Sequence, residues 1–335
     1  MSREDNALMN SPIGRRALFA GVAAGSAFTV VRARAQAFPS RTVTLVVPFP
    51  PGGTIDVLAR LTAQQLTGRF GVPAVVENRA GAGGTIGAAA VARSQPDGYT
   101  ILVSNVGSNG IGPALYRNIP YRPLEDFEHI GCFGAFPNVL VVRPDFPVST
   151  IGELIALARQ KPGELAFGSP GNGLAPHLAG EMLMHATGIR LLHVPYRGAG
   201  EARQAFLSGE VPILFENLPT VLPMARDGQM KPLLVTSPVR ATGLPEVPTA
   251  IELGMKGFTN ESWEGLSAPR GTAAAVVEVL SQALQETLAK PEVNARLTGM
   301  GIRIDYTKPD EYRAFIADEL KKWDAVIRTA GIHLD

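Results

Sequence analysis

The feature that most constrains the fold of this sequence is an alternation of short apolar runs with helical patterns, which begins near residue 42. The runs are rich in valine, leucine and isoleucine, as buried strands are. We predict strands at 43–47, 73–77, 99–104, 138–142, 164–169, 191–196, 211–216 and 231–237. We predict helices at 54–70, 84–93, 150–159, 176–186, 201–208 and 273–289. Such alternation indicates an α/β fold, with a parallel sheet covered by helices.

Two of the predicted helices have an apolar face that can be followed along the sequence. In the first helix this face is formed by Ile55, Leu58, Leu61, Leu66 and Phe70. In a closing helix it is formed by Tyr312, Phe315, Ile316, Leu320, Trp323 and Ile327. We expect Thr54 to be the N-cap of the first helix and Gly331 to end the last one.

Two glycine-rich loops each join a predicted strand to a predicted helix. They are PFPPGGT at 48–54 and FGSPGNGLAPH at 167–177. The first N–H groups of a helix have no partner inside it, and the helix dipole is positive there, so such loops favour an anion. If the loops face each other, each can hold one end of a molecule with two carboxylates. The alternative is that both are merely tight strand-to-helix connections.

The N-terminus has the pattern of a secretory signal. Arg15 and Arg16 precede an apolar run from Ala17 to Val31, and small residues with A-x-A spacing follow. We therefore expect residues 1–37 to be a signal peptide, cleaved after Ala35 or Ala37, that sends a soluble protein to the periplasm. The arginine pair resembles a twin-arginine signal, but Gly14 replaces the usual Ser or Thr, and the general secretory route stays open.

The charge of the chain excludes one class of partner. Its formal charge of +1 includes five arginines and two acidic residues among the first 37, which leaves 26 basic and 28 acidic residues in the remainder. A nearly neutral body without a Lys/Arg run predicts no nucleic-acid binding. The single cysteine, Cys132, can form no internal disulfide, and its apolar neighbours indicate a small buried residue.

Motifs for catalysis or cofactor binding are incomplete. GAGGTIG at 81–87 has Ile86 where a dinucleotide fingerprint needs its third glycine, and no glycine loop ends in Lys-Ser/Thr. Ser169 lacks the glycine that precedes a nucleophile elbow, since Phe167 stands there. His177, Glu181 and His185 share a helical spacing, but no fourth ligand is in view. We predict no catalytic residue, no metal and no cofactor.

Asp56 lies in the first turn of the first predicted helix. A carboxylate there normally complements the helix dipole. The alternative is that it meets the ammonium group of an amino-acid ligand.

Six stretches, taken together, resemble the periplasmic substrate-binding receptors of tripartite tricarboxylate transporters, also called Bug receptors. They are VPFPPGGTIDVLAR (46–60), VVENRAGAGGTIGAAAVARSQPDGYTIL (75–102), NVLVVRPDFP (138–147), FGSPGNGLAPHLAGE (167–181), HVPYRGAG (193–200) and VTSPVRATGLPEVPTAIELG (235–254). The resemblance runs from Phe38 to Asp335. The sequence departs from the family's pattern in YRGAGE, which lacks a common proline, and at Glu216, where aspartate is common.

This resemblance implies a type II periplasmic-binding-protein fold, with two α/β domains joined by crossing hinge strands. We expect domain 1 to comprise 38–135 and 236–335, and domain 2 to comprise 136–235. It also implies that the two loops hold the carboxylates of a di- or tricarboxylate, or of an acidic amino acid, and that membrane permease subunits receive this ligand. The expected ligand-binding residues are Pro51, Gly52, Gly53, Thr54, Asp56, Ser169, Gly171, Asn172, Gly173, Leu174, His177, Tyr196 and Asn217.

Two other functions stay open at this point. The chain could be an exported hydrolase that uses His177, which predicts turnover of a substrate. It could also be a receptor of the same fold that presents its ligand to a membrane sensor instead of a permease.

Overall fold

The computed structural model describes residues 38–330, in which strands and helices alternate over most of the chain. The strands are β1 (Val43–Val47), β2 (Ala74–Asn78), β3 (Thr100–Asn105), β4 (Phe127–Val142), β5 (Ala166–Ser169), β6 (Leu192–Pro195), β7 (Ile213–Asn217), β8 (Lys231–Val235), β9 (Glu261–Pro269) and β10 (Arg303–Thr307). The helices are α1 (Thr54–Phe70), α2 (Thr85–Ala92), α3 (Gly112–Leu115), α4 (Ile151–Gln160), α5 (Ala175–Thr187), α6 (Ala199–Ser208), α7 (Leu218–Arg226), α8 (Ala274–Ala289), α9 (Pro291–Gly299) and α10 (Pro309–Ala330). The predicted signal segment and Gly331 lie outside the described residues.

The sheet is parallel at its two ends and antiparallel in the middle. Its strand order is β2-β1-β3-β9-β4-β7-β5-β6, and β8 and β10 also pair with β4. Strand β1 runs parallel to β2 and β3, and β5 runs parallel to β6 and β7. The predicted α/β alternation is therefore confirmed, but the sheet is mixed because β4 and β9 run antiparallel to their neighbours.

Strand β4 links the two parallel ends of the sheet. Its first part, 127–137, pairs with β9, and its last five residues pair with β7 and β8. The sequence predicted only 138–142, because Gly131, Gly134 and Pro137 interrupt the strand pattern before it. Pairing on both sides keeps this stretch extended in spite of those residues.

The two largest apolar cores among residues 38–330 lie against opposite ends of β4. One packs α1 and α8 against the first strands and includes Leu45, Leu58 and Leu284. The other surrounds β5 and β7 and includes Phe167 and Phe215. The expected domain boundaries fall inside β4 and at the end of β8. The division into two domains that move relative to each other stays a prediction.

The predicted apolar faces are confirmed. In α10, Tyr312, Ile316, Trp323 and Ile327 are buried, and Phe315 and Leu320 pack against the same core. In α1, Leu58, Leu61 and Leu66 are buried, and Ile55 and Phe70 pack against them. No helix between residues 38 and 330 is both long enough and apolar enough to cross a bilayer.

The prediction for Cys132 is also confirmed. The side chain is buried, and its Sγ lies 3.1 Å from the carbonyl oxygen of Glu264. Burial raises the pKa of the Cys132 thiol to about 12. A thiol with this pKa is not a nucleophile at neutral pH.

Candidate ligand-binding site

The first glycine loop leads from β1 into α1 and is held from behind by Asp56. Gly52 has a positive φ of 87°, which turns the chain after the prolines. The N–H of Gly52 donates to Oδ2 of Asp56 at 3.1 Å, and Arg60 donates to both carboxylate oxygens at 2.9 Å. Asn78 donates to Oδ1 at 2.9 Å. One of these four hydrogen bonds fixes the loop to α1, and the other three hold the Asp56 carboxylate against Arg60 and β2.

These contacts set the charge state of Asp56. Burial would raise the pKa of its carboxyl, but the hydrogen bonds from Arg60, Asn78 and Gly52 outweigh burial and lower it. The carboxylate is ionised and is balanced by Arg60. Because both oxygens already accept hydrogen bonds, the geometry favours a bracing role over contact with a ligand ammonium.

The expectation that Thr54 is the N-cap of α1 is wrong. The N-cap is Gly53, which has extended backbone angles, and Thr54 is the first helical residue. The Thr54 hydroxyl caps nothing; it is buried and has no hydrogen-bond partner among residues 38–330.

The second glycine loop leads from β5 into α5 and is held by contacts within the loop, with α5 and with β6. Gly173 donates from its N–H to Nδ1 of His177 at 3.1 Å. The Ser169 hydroxyl lies 2.7 Å from Nε2 of His193 and accepts from the N–H of Gly171 at 3.3 Å. Gly171 and Gly173 have φ values of 147° and 72°, which residues with a Cβ rarely adopt. Ser169 and His177 therefore shape this loop.

The two histidines behind this loop are stacked. The rings of His177 and His193 lie 4.0 Å apart, and His193 also stacks on Phe167. Burial, with a smaller effect of His177, lowers the pKa of His193 to about 3, so this ring is neutral. Ser169 is completely buried, so a substrate cannot reach its hydroxyl or the contact with His193.

The predicted helical spacing of His177, Glu181 and His185 brings two of them together. Nε2 of His177 lies 3.5 Å from Oε1 of Glu181. His185 lies in a separate surface hollow with Met182 and Phe258. Within residues 38–330, no group of three or more His, Cys, Asp or Glu side chains is placed to hold a metal.

One cavity of about 640 Å³, including its open mouth, lies between the two loops. Four residues that line it are the N-caps of helices: Gly53 of α1, Leu174 of α5, Gly198 of α6 and Asn217 of α7. None of these four helices has a side-chain cap, whereas α4, whose first residues do not line this cavity, has a full capping box from Thr150 and Glu153. Four positive helix ends therefore lie at one cavity. Their first-turn N–H groups have no partner inside the helix, although Pro176 of α5 and Pro219 of α7 have no N–H to offer.

The lining of this cavity carries no positive side chain in the described part of the sequence. Its only ionisable residue is Asp56, which Arg60 neutralises. An anion here would meet backbone N–H groups and helix dipoles instead of Lys or Arg.

Asn217 adds a side-chain donor. Its Oδ1 accepts from the Ser262 hydroxyl at 3.0 Å and from Nδ2 of Asn138 at 3.3 Å. These two contacts fix the orientation of the Asn217 amide. Its NH₂ group has no acceptor among residues 38–330 and is free to donate to a ligand.

Five of the thirteen expected residues line the cavity: Gly53, Thr54, Asp56, Leu174 and Asn217. The other eight lie behind or beside it: Pro51, Gly52, Ser169, Gly171, Asn172, Gly173, His177 and Tyr196. Tyr196 donates its hydroxyl to Oε1 of Glu210 at 2.9 Å and supports β5 through backbone contacts.

Sequence reasoning missed part of the lining. Gly198 and Ala199 begin α6, and the same strand–glycine–helix pattern could have identified them. Phe136, Ser262 and Trp263 come from β4 and β9, and no local pattern marks them as lining residues. Only the antiparallel pairing of those strands brings them to the cavity.

Comparisons with known proteins assign the chain to a family. A family model described as a tripartite tricarboxylate transporter family receptor matches residues 58–332. The chain belongs to this receptor family. It is 38% identical over 301 residues to Protein BugT of Bordetella pertussis, covering 90% of this chain and 92% of BugT.

Solved structures agree with this family assignment. Rpa4515 of R. palustris, solved with adipate, is 35% identical with a TM-score of 0.85, covering 88% of this chain and 99% of that one. MatC from Rhodopseudomonas palustris, solved with malate, is 33% identical with a TM-score of 0.82, covering 87% of this chain and all of that one. The predicted periplasmic-binding-protein fold is therefore confirmed, as is the resemblance to Bug receptors, since a structure named BugD matches with a TM-score of 0.84 at 36% identity.

Proposed function

We propose that this protein is a periplasmic receptor that captures a small carboxylate in the cavity and delivers it unchanged to the permease of a tripartite transporter. The ligand class is a di- or tricarboxylate, or an acidic amino acid. The observation that carries this proposal is the convergence of four helix N-termini, none with a side-chain cap, on one cavity without a positive side chain.

The expected strength of such a site follows from its donors. Hydrogen bonds to charged groups contribute about 1.5 to 3 kcal/mol each. Four or five of them would support micromolar binding, roughly −8 kcal/mol, once the cost of ordering the ligand is included. Two related receptors were solved with adipate and with malate, which supports a carboxylate as the ligand here.

Capture would involve closure of the two predicted domains, 38–135 with 236–335 and 136–235. Arg203 of α6 donates to the carbonyl oxygen of Gly52 at 3.2 Å, which joins one domain to the other. A Cβ on Gly198 would lie 3.1 Å from Cγ of Pro50, so the two loops are close. A ligand that makes all of its contacts only in the closed state shifts the equilibrium between the open and closed states toward the closed one.

Export would follow from the N-terminal segment, with cleavage near Ala35 or Ala37. The chain after the signal segment is nearly neutral, and its glycine loops carry no catalytic motif. Both features are consistent with a receptor that releases its ligand unchanged. A hydrolytic role for His177 finds no support, because its Nδ1 accepts from Gly173 and its ring stacks on His193.

The test is calorimetric titration of the purified protein, unfolded and refolded to remove carried ligand, with mono-, di- and tricarboxylates and acidic amino acids. We expect saturable one-to-one binding of at least one carboxylate, and mass spectrometry should recover it unchanged. Conversion of the ligand, or no binding by any of these acids, would overturn the proposal.

A pair of glycine variants locates the site. A Cβ at Gly53 would lie 3.7 Å from Cβ of Ala199, so alanine fits, and the two γ carbons of valine would overfill the space between the starts of α1 and α6. Overpacking costs about 1 to 3 kcal/mol, so Gly53→Val should weaken binding about 5- to 150-fold. Gly68→Val, near the C-terminal end of α1 and away from the cavity, is the matched control, since a Cβ at Gly68 meets nothing within 4 Å. Equal affinity in the two variants would contradict the placement.

A further inference from the structure

The polar groups that line the cavity are almost all engaged with the protein itself. Asp56 accepts hydrogen bonds on both oxygens. Asn105 accepts on Oδ1 from the N–H groups of Gly107 and Ser108, at 2.8 and 3.1 Å, and donates from Nδ2 to its own strand. Neither side chain has an oxygen left for a ligand hydroxyl or ammonium group.

Ser262 is engaged in the same way. Its hydroxyl donates to Oδ1 of Asn217 at 3.0 Å and accepts from Nδ2 of Asn138 at 3.1 Å. The lining side-chain donors that remain are the NH₂ of Asn217, the second N–H of the Asn105 amide and the hydroxyl of Thr54, which is 2% exposed and unpartnered within residues 38–330. Asn217 and Thr54 stand at helix N-termini, where the carboxylates are proposed to bind, and Asn105 is 1% exposed at the end of β3.

The wall between those helix ends is apolar. It is formed by Phe49, Ile55, Val106, Phe136, Leu174 and Trp263. Trp263 donates its indole N–H to Oε2 of Glu319 at 2.8 Å, so it has no donor left for the cavity. A ligand thus meets donors at its charged ends and hydrocarbon along its body.

We propose that the ligand is a carboxylate whose carbon skeleton is an unsubstituted hydrocarbon chain or ring, without hydroxyl or amino groups. This inference rests on the proposed function and narrows it. A hydroxyl placed against the apolar wall loses its water and gains no partner, and an ammonium group meets only the already neutralised Asp56. Discrimination against an added hydroxyl in an apolar site is about tenfold to a hundredfold.

The experiment titrates the purified protein with ligand sets that differ at one carbon. The sets are succinate, malate and aspartate; glutarate, 2-hydroxyglutarate and glutamate; and phenylacetate, mandelate and phenylglycine. In the set that binds most tightly, we expect the unsubstituted acid to bind at least about tenfold more tightly than either substituted one.

The outcomes separate this inference from the proposed function. Equal or tighter binding of a hydroxy or amino acid overturns the inference and leaves the receptor function in place. No binding by any carboxylate overturns both.

A nearly isosteric variant tests the wall itself. Val106 is 5% exposed and lines the cavity, so Val106→Thr places a hydroxyl there at almost constant volume. We expect this variant to reduce the preference for the unsubstituted acid by about fivefold or more, because the ligand hydroxyl gains a partner. Val75→Thr, at a 43% exposed position on β2, is the matched control and should keep the preference. An unchanged preference in Val106→Thr, with its thermal unfolding intact, would overturn the proposed role of the wall.

Discussion

The buried carboxyl of Glu216 makes a quantitative prediction about pH and stability. Glu216 lies on β7 with no exposed surface, and its Oε1 accepts from the N–H of Asn217 at 2.8 Å. Nη1 of Arg203 is 3.9 Å from Oε2, which is too far for a hydrogen bond. Burial raises the pKa of this carboxyl from 4.5 to about 7, although Asn217 and Arg203 act in the opposite direction.

The sign of the effect follows from proton binding. Between pH 4.5 and 7 the folded carboxyl keeps its proton while the unfolded one has lost it, so stability falls as pH rises through this window. Above the window the folded state carries the full penalty of a buried charge. At ~1.4 kcal/mol per pH unit, that penalty is ~3 kcal/mol.

The variant Glu216→Gln should remove this penalty, because the amide resembles the protonated acid and cannot ionise. We expect its free energy of unfolding to match the parent protein at pH 4.5 and to exceed it by up to ~3 kcal/mol at pH 8. The assay is urea unfolding followed by tryptophan fluorescence, in buffers without carboxylates, since a bound ligand would itself stabilise the protein.

The control for this experiment is Glu246→Gln at an exposed position. Glu246→Gln should show no comparable increase in the free energy of unfolding between pH 4.5 and 8. If the difference in the free energy of unfolding between Glu216→Gln and the parent is the same at pH 4.5 and 8, the folded protein does not raise the pKa of Glu216.

Three further predictions concern the loops and the thiol. Arg203→Met removes the 3.2 Å hydrogen bond to the carbonyl of Gly52, so the ligand should dissociate about tenfold faster in stopped-flow displacement, and an unchanged rate would contradict a role in closure. Asp56→Asn weakens the pairing with Arg60 and should reduce the affinities for succinate and aspartate by the same factor in calorimetry, whereas a selective loss for aspartate would indicate contact with its ammonium group. Cys132 should resist a thiol reagent in the native protein and react fully in denaturant, and rapid native labelling would disagree with its burial.

The sequence predicted the elements that local pattern determines. Helix α1 has the predicted limits, because its apolar face and the glycines before it are local signals. The first part of β4 was missed because its glycines and proline disfavour a strand, and only pairing with β9 and β10 keeps it extended. Helix α7 was missed because Pro219 and Pro223 lie within it.

The candidate site likewise contains residues that a local sequence pattern identifies and residues that only strand pairing brings to the cavity. Gly53, Thr54 and Leu174 could be identified because each lies where a glycine loop enters a helix. Phe136 and Trp263 could not, because their positions depend on strand pairs between residues more than 100 apart in the sequence. The expected contact of Ser169 with a ligand is through the backbone amides of its loop and stays a prediction. The pairing of its side chain with His193 could not be predicted, because the two residues lie 24 positions apart on different strands.

A crystal structure with the carboxylate that binds most tightly would show whether the helix N-termini at the cavity hold the ligand. We expect carboxylate oxygens within hydrogen-bonding distance of backbone N–H groups at the starts of α1 and of α5 or α6, with the Asn217 amide as a further donor. A ligand bound elsewhere, for example beside Arg303 and Lys322 in the hollow between β4, β10 and α10, would contradict this placement.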